Sequence, residues 1–230
     1  MKRDLADNAI LLAGASGGLG SAIGAALSEQ GASLTLLGRS ERRLADVELA
    51  GPRVVGDLGE RGTAERAVED HLEAHGRLDG VVNAAGIVAF GPLVDTDDDT
   101  LDRLVATNLL APLRLVRAAL PHLGGGFVAN LSAVVAEQPP AGMAAYAATK
   151  AGLTAADTAL RRELRRERVS VIDLRPPHTE TGLAERPIAG AAPSLPQGLE
   201  PRTVARRVVA AIVDDEREVG AESFIEAGRP

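Results

Sequence analysis

Short runs of residues, apolar almost from end to end, alternate along this chain with longer stretches of helical spacing. The runs lie at 9–13 (AILLA), 33–37 (SLTLL), 52–56, 79–83 (DGVVN), 126–131 (GFVANL) and 169–174 (VSVIDL), with a last strand expected near 218–225. Helical patterns fill 18–30, 40–49, 62–75, 98–122, 143–167 and 201–214. Strand then helix, repeated, requires crossover connections, and crossovers build parallel sheets covered on both faces. Runs without polar alternation suit strands buried on both sides. The expectation is one doubly wound parallel α/β domain over 1–230. Prolines and glycines break the rhythm at 176–200, which reads as an irregular loop serving as a lid or binding element.

Composition narrows the partners. At 230 residues and 45% hydrophobic, the chain has material for one sizeable core. A net charge of −7 argues against nucleic acid and anionic membrane, both of which need a basic surface. Cysteine is absent, which excludes disulfides and thiol chemistry. The start, MKRDLADN, has too short an apolar run for a signal peptide, and no apolar stretch comes near the ~20 residues of a membrane helix. A cytoplasmic protein is expected.

The first run leads directly into GASGGLG, which places Gly14, Gly18 and Gly20 at a strand-to-helix junction. Glycines there let the backbone approach a ligand, and the helix start offers free N–H groups to a pyrophosphate. The same turn can also serve packing alone; its place after the first strand of a βα series favours a nucleotide.

A second constellation is sharper. The chain has one tyrosine, Tyr146, and of its 25 lysine and arginine residues only Lys2 and Lys150 are lysine. Tyr146 and Lys150 are four residues apart in an alanine-rich, helix-forming segment, so they share a face. With residues this scarce, the spacing arises by chance on the order of once in a hundred such chains. A phenol of pKa about 10 is a poor acid or base at neutral pH. A neighbouring ammonium is expected to lower it into a useful range.

With these motifs the chain resembles the short-chain dehydrogenase/reductase family, single-domain NAD(P)-dependent enzymes of Rossmann type. The likeness runs from about residue 8 to about 181: GASGGLG, GDL at 56–58, NAAG at 83–86, Asn108 in VATNLLAPL, Ser132 in ANLSAV, and the Tyr146/Lys150 pair. It implies a catalytic set of Asn108, Ser132, Tyr146 and Lys150. Ser132 would hold the substrate oxygen, Tyr146 would exchange a proton with it, Lys150 would lower the tyrosine pKa and bind the nicotinamide ribose, and Asn108 would hold a relay water. The cofactor set it implies is Gly14, Ser16, Gly18, Leu19 and Gly20 in the turn, Arg39 after the second strand, Asp57 and Leu58, Asn83, Ala85 and Gly86, then Tyr146, Lys150, Pro176, Thr179 and Thr181. In such folds an acidic residue after the second strand selects NAD. Here Gly38 holds that position and Arg39 follows, so NADP(H) is expected over NAD(H), with Arg42 or Arg43 adding to the positive field.

The chain departs from the family at Ala13, where a threonine is usual, at Ala84, in place of a second asparagine, and at Pro177, in place of a glycine. The segment REVGAESFIEAGRP also replaces the usual ending. Other signals are weaker. His71 and His75 lack a third ligand and read as a solvated helix face, so no metal is expected. DTDDDT at 95–100 lacks the glycine and glutamate of a calcium loop and reads as a helix start. RRELRRER at 161–168 reads as a helix end, and His178 as a residue near substrate.

The sequence thus predicts an oxidoreductase acting on a small carbonyl compound or secondary alcohol. The mostly small and apolar residues at 182–200 point to an uncharged substrate. The competing readings are a silent NADP(H)-binding regulator and a lyase or epimerase using nicotinamide transiently. A homodimer is expected through 98–122 and 143–167, by way of Leu109, Leu113, Leu153 and Leu160, with a tetramer as the larger alternative.

Overall fold

The computed structural model describes residues 2–229; Met1 and Pro230 lie outside them. Seven parallel strands form one sheet in the order β3-β2-β1-β4-β5-β6-β7. They are β1 (Ala9–Ala13), β2 (Ser33–Gly38), β3 (Arg53–Val55), β4 (Gly80–Asn83), β5 (Phe127–Leu131), β6 (Ser170–Leu174) and β7 (Glu218–Val219). The helices are α1 (Gly18–Glu29), α2 (Glu41–Ala45), α3 (Thr63–His75), α4 (Asp98–Val105), α5 (Ala111–Ala119), α6 (Ala144–Glu163), α7 (Pro201–Val213) and α8 (Ala221–Ala227). This is a Rossmann-like doubly wound fold. Strand order reverses between β1 and β4, and such a reversal opens a crevice at the carboxyl ends of the strands.

Strand residues alternate between two cores, which is why the runs carry no polar alternation. Ile10 and Leu12 of β1 join Phe127 and Ala129 of β5 beneath α1, α7 and α8. Leu11 and Ala13 join Val81 and Val128 on the opposite face, beneath α3 and α5.

Five expectations need correction. The chain after 218 forms only the two-residue β7 and then turns into α8, whose Phe224 is fully buried against the first core. The helix expected at 40–49 starts from a cap by Ser40, whose Oγ accepts from Arg43 N at 3.3 Å, and closes after five residues. The long helix at 98–122 opens into a π turn, Ala106–Leu110, between α4 and α5. By length and composition Asp98–His122 (mean hydropathy 1.2) also passes for a membrane span, contrary to the sequence reading. Its buried side, through Leu104, Leu115, Val116 and Ala119, is occupied by the protein's own core, the ordinary use of such a helix.

The fifth correction concerns His71, which is fully buried rather than solvated. Its Nδ1 lies 2.9 Å from Thr35 Oγ1 and its Nε2 3.0 Å from the Arg77 carbonyl oxygen. A carbonyl only accepts, so Nε2 carries the proton and Nδ1 accepts from the Thr35 hydroxyl. His75 Nε2, 3.1 Å away, then donates to Thr35 Oγ1. Burial pushes the His71 pKa down to about 4. The acidic segment behaves as expected: Asp97 Oδ1 accepts from Thr100 N at 2.7 Å and starts α4.

Candidate active site

The glycine turn crosses from β1 to α1 at the reversal point. Gly14 has φ +80°, a left-handed conformation that side chains resist, and a Cβ there would lie 2.5 Å from Ala85 N. The turn thus presses against the NAAG segment. A Cβ on Gly18 would lie 2.9 Å from Thr181 Cβ, and one on Gly20 would collide with the Gly14 carbonyl. No side chain caps α1, so the first N–H groups of the helix face the crevice free for an anion. This is a backbone cradle at the start of α1, suited to an anion.

Beyond β4, the chain is held by Asn108, which lies buried in the π turn. Its Oδ1 accepts from Ile87 N at 2.9 Å; its Nδ2 donates to Ile87 O at 2.9 Å and to Thr149 Oγ1 at 3.3 Å. π turns recur where function needs a side chain placed off the regular register. Gly86 lies between Asn108 and Lys150: a Cβ on it would stand 3.4 Å from Asn108 Oδ1 and 3.6 Å from Lys150 Nζ. The structure therefore gathers NAAG, Asn108 and Lys150 into one site.

Tyr146 and Lys150 share a face of α6, both buried. Lys150 Nζ donates to Leu131 O at the end of β5, at 2.8 Å. Burial pushes the Lys150 pKa down to about 8, opposed by the Asp173 carboxylate, and pushes Tyr146 up to about 12. The expected fall of the tyrosine pKa is thus not a property of the free chain, where desolvation wins.

Ser132 departs from expectation as well. Its hydroxyl donates to Asp173 Oδ1 at 2.5 Å and reaches Leu174 O at 3.2 Å. A hydroxyl has one proton to give, and here it points to β6, which leaves the Ser132 oxygen as an acceptor. Asp173 belongs to a polar row across the sheet: Asn83 of β4, Asn130 of β5 and Asp173 of β6 are register neighbours. Asn83 Nδ2 donates to Asn130 Oδ1 at 2.6 Å, and Asn130 Nδ2 to Asp157 Oδ1 of α6 at 2.5 Å. Burial raises the Asp157 pKa to about 8. Asn130, Asp157 and Asp173 were not among the expected site residues, although Asp173 in VSVIDL and Asn130 in GFVANL stand out as polar residues inside buried runs.

At the far end of the crevice, Arg39 lies 3.7 Å from Asp57 Oδ2, both partly exposed. Asp57 Oδ1 accepts from Gly59 N at 2.7 Å, and Leu58 is buried beside it. Arg43 Nη2 donates to Ser16 O at 2.8 Å, bracing the glycine turn from α2. A cavity of about 520 Å³ opens here, lined by Ser16, Ser21, Arg43 and Asp46 among others.

The irregular stretch at 176–200 is tied to the body of the domain and to itself. Pro176 O accepts from Val134 N at 3.1 Å, and Ile188 N donates to Val88 O at 2.8 Å. Thr179 and Leu199 form a parallel bridge. Pro177 keeps a role despite its ring, since its carbonyl accepts from Thr179 Oγ1 at 2.9 Å. His178 Nε2 stands 3.6 Å from Glu180 Oε1.

Comparison with known proteins agrees with this geometry. The family model described as short chain dehydrogenase matches residues 8–189. An uncharacterised oxidoreductase of Staphylococcus epidermidis is 34% identical over 184 residues, covering 76% of this chain and 79% of that protein. The zebrafish (Danio rerio) dehydrogenase/reductase SDR family member 7B is 27% identical, covering 94% of this chain and 77% of its own. A short chain dehydrogenase from Burkholderia cenocepacia, solved in complex with NADP, superposes with a TM-score of 0.84 at 28% identity, over 95% of each chain. A metagenomic short-chain oxidoreductase in complex with NADP gives 0.79 at 30% identity, over 95% of this chain and 98% of that one. A cradle at the sheet's reversal point, a buried Tyr/Lys helix beside it and a match over most of the length leave one assignment: the chain belongs to the short-chain dehydrogenase/reductase family of oxidoreductases.

Proposed function

We propose that this protein is an NADP(H)-dependent oxidoreductase that interconverts a small uncharged carbonyl compound and its alcohol, with Tyr146 as general acid and base. The observation that carries the reading is the convergence of Tyr146, Lys150, Asn108 and Gly86 at the mouth of a glycine cradle. The cradle fits a dinucleotide: Gly14, Ser16, Gly18, Leu19 and Gly20 would hold its pyrophosphate and Asp57, Leu58 and Arg39 its adenosine. Asn83, Ala85, Gly86, Lys150, Pro176, Thr179 and Thr181 would hold the nicotinamide half. When bound, the nicotinamide supplies or takes the hydride.

The protein's own part is proton handling. Tyr146, with its pKa at about 12, keeps its proton throughout the neutral range and is poised to donate to a substrate oxygen. Lys150 is the cation placed to ease the proton's departure. NADP-bound neighbours support the choice of cofactor, as does Arg39 in place of an acid. We further propose a homodimer through the apolar groove of about 360 Å³ lined by Leu93, Leu101, Val105, Leu109 and Ala148.

One observation favours a second reading, a nucleotide-binding protein without turnover: the Ser132 proton is already committed to Asp173. A panel of aldehydes, ketones and alcohols followed by NADPH absorbance separates the two. Turnover of any member supports the enzyme; intact NADPH binding with silence across the panel supports the regulator.

A further inference from the structure

We propose that Asp173 is a positioning residue of this site, which fixes the Ser132 hydroxyl and supplies the buried counter-charge to the Lys150 ammonium. The assignment rests on the reading of Lys150 as the cation of the active site, and goes beyond it by naming what holds that cation charged.

The geometry is specific. Asp173 is fully buried in β6, directly across from Asn130 and one residue before Leu174, the register partner of Leu131. Leu131 is the residue whose carbonyl takes the Lys150 ammonium at 2.8 Å, and Ser132, next in the chain, gives its proton to Asp173 at 2.5 Å. The hydroxyl and the ammonium are thus tied to consecutive residues at one strand end. Asp173 Oδ2 has no hydrogen-bond partner among the described residues, and neither does Arg175 Nε, 3.5 Å from it. A carboxylate oxygen buried without a hydrogen bond is costly unless a charge elsewhere stabilises it.

The charged and titratable groups around Asp173 divide by element. Lys150 and Asp157 of α6 both feel the Asp173 charge, and Arg175, two residues further along the chain, lies 3.5 Å from it. Arg175 is itself shared with Glu137 at 2.8 Å and Glu218 at 3.1 Å, two carboxylates that dilute its charge toward Asp173. Asp157 adds no cation. The Asp173 charge opposes the burial that lowers the Lys150 pKa. Without Asp173, no counter-charge would offset the desolvation of the ammonium, which would keep only its bond to the Leu131 carbonyl oxygen.

The scarcity of lysine makes the test direct. Because Lys2 and Lys150 are the only lysines, a chain grown with lysine labelled by ¹³C at Cε gives two signals, assigned by Lys2→Arg. The free protein then reports the Lys150 titration with no substrate or turnover, so the outcome is independent of whether the chain is an enzyme. The expected wild-type midpoint is about 8. In Asp173→Asn, which keeps the shape and an acceptor for Ser132, the midpoint should fall by about one unit. In Arg175→Gln it should rise, because Asp173 loses its other cation. An unshifted midpoint in a folded Asp173→Asn protein overturns the proposal. If Asp173→Asn does not fold, Arg175→Gln decides: a rise supports the assignment and no change refutes it. Absence of turnover on every substrate, with the expected midpoints, would count against the enzyme reading and leave this one standing.

Discussion

Lys150 and Leu131 are joined by a 2.8 Å hydrogen bond from the side-chain ammonium to the main-chain carbonyl oxygen. The bond anchors the cation of α6 to the end of β5, at the crevice where the strand order reverses. An ammonium donates three protons and a neutral amine two, with no positive charge to assist. Burial lowers the Lys150 pKa to about 8, so the group is charged below that pH and neutral above it. The expected consequence is a basic limb in the pH profile of kcat/KM for the free enzyme, falling above about pH 8. A profile flat from pH 7 to 10 would show that the lysine charge is not required.

Tyr146→Phe removes one oxygen and keeps the ring that packs with Ile87, Val88 and Leu104. Turnover should drop by about 10²–10⁴-fold, the usual contribution of a positioned acid or base, while NADPH affinity stays within about threefold. Kinetics and a fluorescence titration together check this. A variant that keeps more than about a tenth of kcat would remove Tyr146 from the mechanism.

The sequence made the sheet legible because each strand is a dense apolar run, and the glycine turn legible because Gly14, Gly18 and Gly20 sit where one run ends. Tyr146 and Lys150 were legible through their rarity. What escaped was set by three-dimensional packing. The strand expected at 218–225 became β7 and α8, since Phe224 finds its burial on a helix beneath the sheet. The π turn at Asn108 depends on the Ile87 backbone it clamps, 21 residues away. The Ser132–Asp173 bond depends on the register of β5 against β6, which no local pattern contains. His71 looked solvated because its partner, Thr35, lies 36 residues earlier on a neighbouring strand.

That histidine carries an acid-stability prediction. The His71 pKa falls from 6.5 to about 4 on folding, so the unfolded chain binds the proton first. Its contribution to stability is present above pH 6.5 and is lost as the pH falls from 6.5 toward 4. The loss is about 3 kcal/mol over that window by linkage. Urea melts of wild type and His71→Leu at pH 7 and 4.5 measure it. The variant should be less stable at pH 7, with Thr35 and the Arg77 carbonyl left unpartnered, and should show a shallower pH slope. Equal slopes would assign the acid sensitivity elsewhere.

The groove between α4 and α6 carries the assembly prediction. Val105 and Leu110 are over a third exposed, at 39% and 37%, and Leu93 at 57%, which is apolar surface suited to a second copy. Light scattering should give a dimer at micromolar concentration, and Val105→Glu should give a folded monomer, because an unpaired carboxylate would be buried in the interface. A monomeric wild type would end the proposal.

Cofactor choice is where two arginines should separate. Arg39 is more than half exposed and lies 3.7 Å from Asp57, so it is free to turn toward a 2′-phosphate. Arg43 is spent differently, donating to Ser16 O at 2.8 Å and so shaping the turn that any dinucleotide would need. A charge-assisted contact contributes about 1.5–3 kcal/mol, or roughly 10- to 150-fold in preference. Arg39→Ala should therefore cost NADPH that factor in kcat/KM and leave NADH nearly unchanged. Arg43→Ala should weaken both cofactors together, because it loosens the pyrophosphate turn as well as any 2′-phosphate contact. Measuring kcat/KM for each cofactor in the two variants distinguishes the roles. A preference for NADPH that survives Arg39→Ala but disappears in Arg43→Ala would move the selection to α2, and equal use of both cofactors by the wild type would abolish it.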